Sequence, residues 1–252
     1  VAEVARSIAA SITVAATAVA VPLFELASPA RYDYTVIDDA TGQPVPAKLT
    51  VIGRHPVPPD SRLSAPYERV FGVVAVVHAI YGTSAPAVDT DPADRQLVLP
   101  AGGPYRVFAS HGPEWTVDDV VVTPAAGEAG TLHFALRRTV DTTGYVAAEF
   151  HQHALGSPDS SIPFADRLRT LVTEGVEFFA STDHDYLADY DPIIDDLGLR
   201  GWIDGIVGVE STPFAWGHFI GWPLRRDPLD PSGGAPDWAL GSHEGLDMLP
   251  FE

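Results

Sequence analysis

The 252-residue chain contains no cysteine, which excludes both a disulfide framework and thiolate metal ligation. It also has few basic residues, since 15 Lys and Arg stand against 34 Asp and Glu, for a net charge of -19. From Val140 onward there are 20 acidic and 5 basic residues, against 14 and 10 before it. An acidic surface attracts divalent cations and repels polyanions, so nucleic acid is not expected as a partner. Acidic loops that only increase solubility would give the same composition.

A clean hydrophobic run of membrane-spanning length is also lacking. The stretch Ile8–Phe24 is rich in Ala and Val, but Pro22 interrupts it. A signal peptide also requires a positively charged N-terminal region, and the acidic Glu3 argues against one here. We therefore expect residues 1–30 to form an N-terminal apolar segment, packed as a helix or an edge strand, and no membrane partner. The cellular location stays open, with export to the periplasm as an alternative.

Residues 31–139 consist of short extended runs separated by Gly and Pro, which favours an all-β sandwich. The predicted strands are Tyr32–Ile37, Ala47–Ile52, Val70–Ile80, Gln96–Leu99, Tyr105–Ala109, Val117–Val122 and Thr131–Leu136. The histidines of this region stand singly, and we interpret them as structural or surface residues: His55, His78, His111 and His133.

Residues 140–252 carry the chemistry. A buried strand is predicted to end in His151-Gln152-His153, and a second strand, Val176–Ala180, leads directly to Asp183 and His184. Residues two apart on an extended strand project from one face, so the two histidines of the first motif can hold one ion together. Two histidines at this spacing are also common as incidental surface residues.

A helix is predicted between these strands, with Ser160 or Ser161 as its cap, Pro163 in its first turn and Gly175 at its C-terminal end. Its apolar stripe consists of Phe164, Leu168, Leu171 and Val172. A third strand, Ile203–Val209, ends in Glu210, and the next apolar run carries His218. Because ligand-type residues recur at successive strand ends, where parallel sheets place their sites, the pattern predicts a metal centre.

The ordered motifs resemble the polymerase and histidinol phosphatase (PHP) domain hydrolases. The matching motifs are His151-x-His153 with Asp159 a few residues on, Thr182-Asp183-His184, Gly208-Val209-Glu210 and Gly217-His218. The carbaryl-hydrolase-like (CehA/McbA) branch is the most similar, through Thr143-Gly144, the Ser-Pro-Asp-Ser-Ser stretch and a Trp-Pro-Leu after His218. The β region resembles the carboxypeptidase regulatory-like modules, in the stretch from Asp38 to Ala47 and in Leu99-Pro100-Ala101-Gly102.

The resemblance implies two or three divalent ions of Zn, Mn or Fe. It implies that His151 and His153 bind one ion, that Glu210 bridges to a second one held by His218, and that Asp159 and His184 hold a third. Asp183 and His184 are the implied catalytic pair, with Asp183 as the carboxylate that fixes the orientation of an imidazole.

The expected fold is multi-domain: an all-β sandwich followed by an α/β distorted (β/α)7-type PHP barrel that is truncated at its C-terminus. About three strand–helix units of the family's seven are visible, and the family's later ligands have no counterpart. His243 lies in a Gly-rich loop and is interpreted as a surface residue. We expect a fragment of a longer protein that contains the N-terminal part of the PHP domain, with weak activity or none by itself.

The sequence predicts a metal-dependent hydrolase that acts on a small-molecule substrate, with phosphoester hydrolysis as the natural reaction. Hydrolysis of a carbamate or carboxylic ester is an alternative, because the same ions polarise a carbonyl group. Arg225 and Arg226 are candidates for binding a phosphate group. Alternatively, they are surface residues that contact only solvent. A non-catalytic binding protein with an incomplete PHP domain is the remaining alternative.

Overall fold

The computed structural model describes residues 27–55, 69–84, 96–213 and 217–236. These residues have a β-rich fold, with only two short helices among them. The chain divides into two compact units, one ending at Arg137 and the other continuing from Arg138, with Gly112–Glu114 grouped in the second. Most of the N-terminal apolar segment and His243 lie outside the described residues. No helix in the described ranges combines the length and the apolar character needed to cross a membrane.

The first unit is built of strands, and each overlaps one of the predicted runs. The strands are β1 (Ala30–Asp38), β2 (Ala47–His55), β3 (Arg69–Ala79), β4 (Leu97–Leu99), β5 (Tyr105–Ser110), β6 (Asp118–Val122) and β7 (Ala129–Leu136). They form one sheet of order β4-β1-β7 and another of order β3-β2-β5-β6. Strands β1 and β7 pair in parallel, and the other pairs are antiparallel.

The two sheets share one hydrophobic core. Side chains alternate between the two faces of a strand, and β5 accordingly buries Tyr105, Val107 and Ala109 while the residues between them are partly exposed. Tyr34 of β1 and Leu49 of β2 are both 0% exposed and belong to the same core. Each large apolar side chain buried in this way stabilises the fold by about 1.5–3 kcal/mol.

Tyr32 is packed over a glycine of the neighbouring strand. Gly130 is its register partner on β7, and a Cβ atom there would lie 2.8 Å from the ring carbons Cδ1 and Cε1 of Tyr32. The phenol donates a hydrogen bond to Glu128 Oε1 at 3.0 Å. Burial, this hydrogen bond and the charge of Glu128 raise the pKa of Tyr32 to about 12.

We expect this tyrosine to make the first unit sensitive to alkaline pH. A folded-state pKa above the unfolded value of about 10 means that the stabilisation is complete below pH 10 and is lost as pH rises toward 12. Between pH 8 and pH 11 the wild-type free energy of unfolding should fall by about 1.4 kcal/mol more than that of Tyr32→Phe. Urea unfolding at both pH values measures the difference, and equal losses in the two proteins would contradict the expectation.

The second unit contains the predicted strand–helix–strand arrangement. Its elements are β8 (Ala148–Glu149), α1 (Phe164–Thr173), β9 (Phe178–Ser181), α2 (Asp191–Asp196), β10 (Asp204–Val207), β11 (Val209–Ser211) and β12 (Phe219–Gly221). Strands β8, β9 and β10 form a parallel sheet of order β10-β9-β8, and β11 pairs with β12 in a separate antiparallel sheet. Within the described residues these strands do not close into a barrel, so the predicted (β/α)7 barrel gains no support from them.

Helix α1 ends as predicted but begins differently. Pro163 is the N-cap residue, and no side chain caps the helix, so the prediction of a Ser160 or Ser161 cap is wrong. At the other end Gly175 has φ +79°, and the N–H of Val176 donates to the carbonyl of Leu171. This is the glycine-dependent C-terminal motif that the sequence predicted, and it turns the chain into β9.

Candidate metal centre

The His-x-His motif follows β8 instead of lying within it. The strand ends at Glu149, so the prediction that it extends through His153 is wrong. The reason is a side chain of the neighbouring segment: Thr182 Oγ1 accepts a hydrogen bond from Gln152 N at 2.8 Å and donates one to Gln152 O at 2.9 Å. A hydroxyl group therefore replaces the backbone ladder and holds the motif beside the end of β9.

Glu210 is fixed against the segment that carries His184. Its N–H donates to Asp183 O at 3.1 Å, and its carbonyl accepts from Asp185 N at 3.0 Å, which makes a parallel bridge between His184 and Glu210. Glu210 lies in the middle of β11, because the predicted third strand is interrupted at Gly208. A Cβ at Gly208 would lie 2.8 Å from Ser181 O, so only glycine lets these segments approach so closely.

The six predicted metal ligands come together in three overlapping groups that could hold metal ions. In each group one ligand atom per residue lies within 4.8 Å of the others. The groups are His151, His153 and Glu210; His153, Asp159 and His184; and His184, Glu210 and His218. Within the described part of the chain, no such group includes a histidine of the first unit.

Glu210 belongs to two of the three groups and lies on the buried side of the cluster. Its Oε2 atom lies 3.1 Å from His151 Nε2 and 2.9 Å from His153 Nε2, and its Oε1 atom lies 2.8 Å from His218 Nδ1. Its side chain is 4% exposed. Burial raises the pKa of this carboxyl group, but the hydrogen bonds from His151 and His218 and the charges of His184 and His151 together outweigh burial, so the net pKa is lowered. Glu210 therefore presents a charged oxygen to each side of the cluster.

Asp159 lies on the open side of the cluster. Its carboxylate is 57% exposed, 3.2 Å from His153 Nδ1 and 3.4 Å from His184 Nε2. Partial desolvation raises the pKa of this group, but the two histidines lower the pKa by more than desolvation raises it. The net pKa of Asp159 is therefore below its usual value. Both carboxylates are thus anionic at neutral pH, as ligands of a divalent cation must be.

Asp183 was predicted to orient an imidazole, but it does not do so. Its Oδ1 atom accepts a hydrogen bond from Ala154 N at 2.6 Å and so holds the backbone just after His153. The residue is 0% exposed and belongs to none of the three groups. Burial raises its pKa, and the Ala154 N–H opposes that rise. The catalytic role predicted for Asp183 and His184 stays a prediction.

Two hydroxyl groups for which no role was predicted orient the imidazoles instead. Ser157 Oγ lies 3.0 Å from His153 Nδ1 and accepts from His184 N at 2.8 Å. Thr212 Oγ1 donates to Glu210 O at 3.0 Å, and because its only proton is used there, it accepts from His184 Nδ1 at 2.7 Å. This leaves His184 Nε2, on the side of Asp159, as the nitrogen available to a metal. In the sequence, Ser157 begins the Ser-Pro-Asp-Ser-Ser stretch and Thr212 lies two residues after Glu210, and these positions were the available signals.

We expect Thr212→Val to weaken metal binding without changing a ligand. Valine has nearly the same shape but cannot accept the His184 N–H, so the imidazole loses its fixed tautomer and orientation. Supporting residues of this kind typically contribute about 10- to 100-fold to metal affinity. Competition with a chromogenic chelator measures the loss, Thr212→Ser is the control that restores it, and wild-type affinity in the valine variant would contradict the inferred role.

The donor set fits the predicted ions. Four imidazoles and two carboxylates, with no thiolate, suit Zn, Mn or Fe in an open site better than a closed structural zinc site. Arg225 and Arg226 do not belong to this centre, because they line a cavity of about 290 Å³ to which none of the six ligands contributes. Arg226 donates instead to the carbonyl of Leu187.

A groove of about 530 Å³ opens directly beside the cluster. Its walls include His151, His153 and Asp159, together with Ser160 and Arg167. It provides room for a small molecule against three of the six ligands.

No family model matches the chain. Its function must therefore be inferred from the arrangement of these side chains.

Proposed function

We propose that this chain carries a metal-dependent hydrolase centre, and that its substrate is a small phosphoester. The observation that supports the proposal is the convergence of four histidines and two carboxylates from four chain segments, with the buried Glu210 facing ligands on both sides. Divalent ions held by these residues would acidify a bound water and neutralise charge on a phosphoryl oxygen. A purely structural role would not require an open groove at the ligands.

The chain's own residues supply binding and orientation. His151, His153 and Glu210 would hold one ion, Glu210 and His218 the next, and Asp159 and His184 a third. Ser157 and Thr212 keep the imidazoles in position, and Asp183 anchors the backbone that carries His153. The ions we propose are Zn, Mn or Fe, two or three per chain.

We further propose that the second unit is a PHP-type domain of the carbaryl-hydrolase-like branch. Its support is the ordered set of motifs, together with a parallel sheet in which β8 ends two residues before His151 and β9 ends three residues before His184. The barrel and the carboxypeptidase regulatory-like identity of the first unit stay predictions. Carbamate or carboxylic ester hydrolysis is the alternative on the same site.

Elemental analysis of the purified chain tests the proposal, beside a His151→Ala/His153→Ala double variant. His133→Ala is the matched control, since His133 is an exposed histidine of the first unit that pairs with Thr35. We expect two or three ions per chain in the wild type and the control, with fewer in the double variant. Assays with p-nitrophenyl phosphate and p-nitrophenyl acetate then compare the two ester classes.

Metal-dependent release of nitrophenol from the phosphate, absent in the double variant, would support the phosphoesterase. Faster hydrolysis of the acetate would favour the alternative ester hydrolase. Bound metal without turnover of either ester would point to a binding role, and no bound metal in any of the proteins would reject the proposal.

A further inference from the structure

Arg167 is the basic residue of the groove beside the metal centre. It projects from helix α1, and its Nε donates a hydrogen bond to the carbonyl of His153 at 2.8 Å. Within the ranges that the structure describes, its two Nη groups have no hydrogen-bond or ion-pair partner. One end of the guanidinium is thus fixed to the backbone of a candidate metal ligand, while the other end is left to contact a ligand in the groove.

The setting of Arg167 is unusual for this part of the chain. From Val140 onward there are only 5 basic residues, and the other charged side chains along the groove are acidic. Glu149 is one of these, and its Oε1 atom accepts a hydrogen bond from the backbone N–H of His151 at 2.7 Å. Asp159 faces His153 and His184. Neither carboxylate of the groove is therefore paired with Arg167. The charge of Arg167 does act on Asp183, which is buried outside the groove lining, and helps to lower the pKa of that group.

A guanidinium whose Nη groups have no partner among the described residues is suited to a tetrahedral oxyanion. Its planar fork donates two parallel hydrogen bonds to neighbouring oxygens of a phosphoryl group. A neutral carbamate or carboxylic ester offers no such pair of anionic oxygens. Ser160 provides a hydroxyl group in the same groove.

We propose that Arg167 binds the phosphoryl oxygens of the substrate in this groove and thereby selects phosphomonoesters over neutral esters. The inference extends the proposed hydrolase function and names the group that its site recognises. It also moves phosphate recognition away from Arg225 and Arg226, which line a different cavity.

Titration calorimetry with inorganic phosphate tests the inference on the manganese-loaded full chain. Charge-assisted bidentate contacts are strong, so Arg167→Met should weaken phosphate binding by about 10- to 100-fold. Arg225→Met is the matched control, because it removes an exposed arginine of the same unit from outside the groove, and we expect wild-type affinity there. Manganese per chain, measured by elemental analysis, should be equal in all three proteins.

Arg167→Lys provides a second variant in case the methionine variant does not fold. A single ammonium group cannot serve both the His153 carbonyl and a phosphoryl group, so we expect a loss of at least about threefold. Unchanged phosphate affinity in the folded Arg167 variants would overturn the inference. A loss of manganese that parallels the loss of phosphate binding would overturn it too, because Arg167 would then only support His153.

The outcome is separable from that of the proposed function. Phosphate binding that depends on Arg167, without hydrolysis of any ester, would retain the anion site and reject the enzyme. If hydrolysis does occur, Arg167→Met should raise KM for p-nitrophenyl phosphate and leave KM for p-nitrophenyl acetate unchanged.

Discussion

Replacing Glu210 by glutamine is expected to remove at least one metal ion per chain and to abolish most metal-dependent hydrolysis. The substitution keeps the shape of the side chain but removes the charge that faces His151, His153 and His218 at 2.8–3.1 Å. Because Glu210 contributes to two of the three candidate groups, its loss weakens both at once. Residues that merely support a metal contribute about 10- to 100-fold to affinity, so we expect a direct ligand to contribute at least about 100-fold.

Elemental analysis and chelator competition measure the effect of Glu210→Gln. The matched control is Glu174→Gln, which makes the same substitution at an exposed carboxylate beyond the C-terminus of α1, outside all three groups. The control should bind metal like the wild type. Wild-type metal content in Glu210→Gln would show that Glu210 is not a ligand and would remove the bridge from the proposed centre.

Phe179→Ala is expected to produce the largest loss of stability in the second unit. Phe179 is 0% exposed in β9, and its ring meets Tyr190 edge-to-face with the centroids 5.0 Å apart. A Cβ at Gly205 would lie 2.7 Å from Phe179 Cε1, so the ring also fills the space over the neighbouring strand. Truncating a buried phenylalanine typically costs about 3–5 kcal/mol, because a cavity is left behind.

Chemical unfolding of the metal-free protein, followed by near-ultraviolet circular dichroism, measures this cost. Leu229→Ala is the control: the side chain is 91% exposed, and we expect its removal to change the free energy of unfolding by less than about 0.5 kcal/mol. Strand β9 precedes Thr182, Asp183 and His184, so the Phe179 variant should also bind metal more weakly. A cost below about 1 kcal/mol would show that the ring is not part of the packed core.

Local patterns were sufficient for most of the elements but not for α2, which was not predicted, nor for all of the bounds. Alternating apolar residues between Gly and Pro turns located the strands of the first unit, and Gly175 located the end of α1, because both signals are properties of neighbouring residues. The end of β8 at Glu149 was not predictable in the same way. It depends on the Thr182 hydroxyl, which comes from a segment 30 residues away in the chain.

The sequence by itself determined which residue types are available: no thiolate, an excess of carboxylates, and histidines at or near strand ends. Those properties are local, and they were enough to single out His151, His153, His184, Glu210 and His218, whereas Asp159 was added by the resemblance of the ordered motifs to a known family. Only the tertiary structure decided that these six meet, and which groups support them. The structure shows that Thr212, and not Asp183, is the hydrogen-bond partner of an imidazole. It also shows that Arg167, and not Arg225, lies at the groove. Both facts depend on contacts between segments that are distant in the chain, and the periodicity of neighbouring residues carries no information about such contacts.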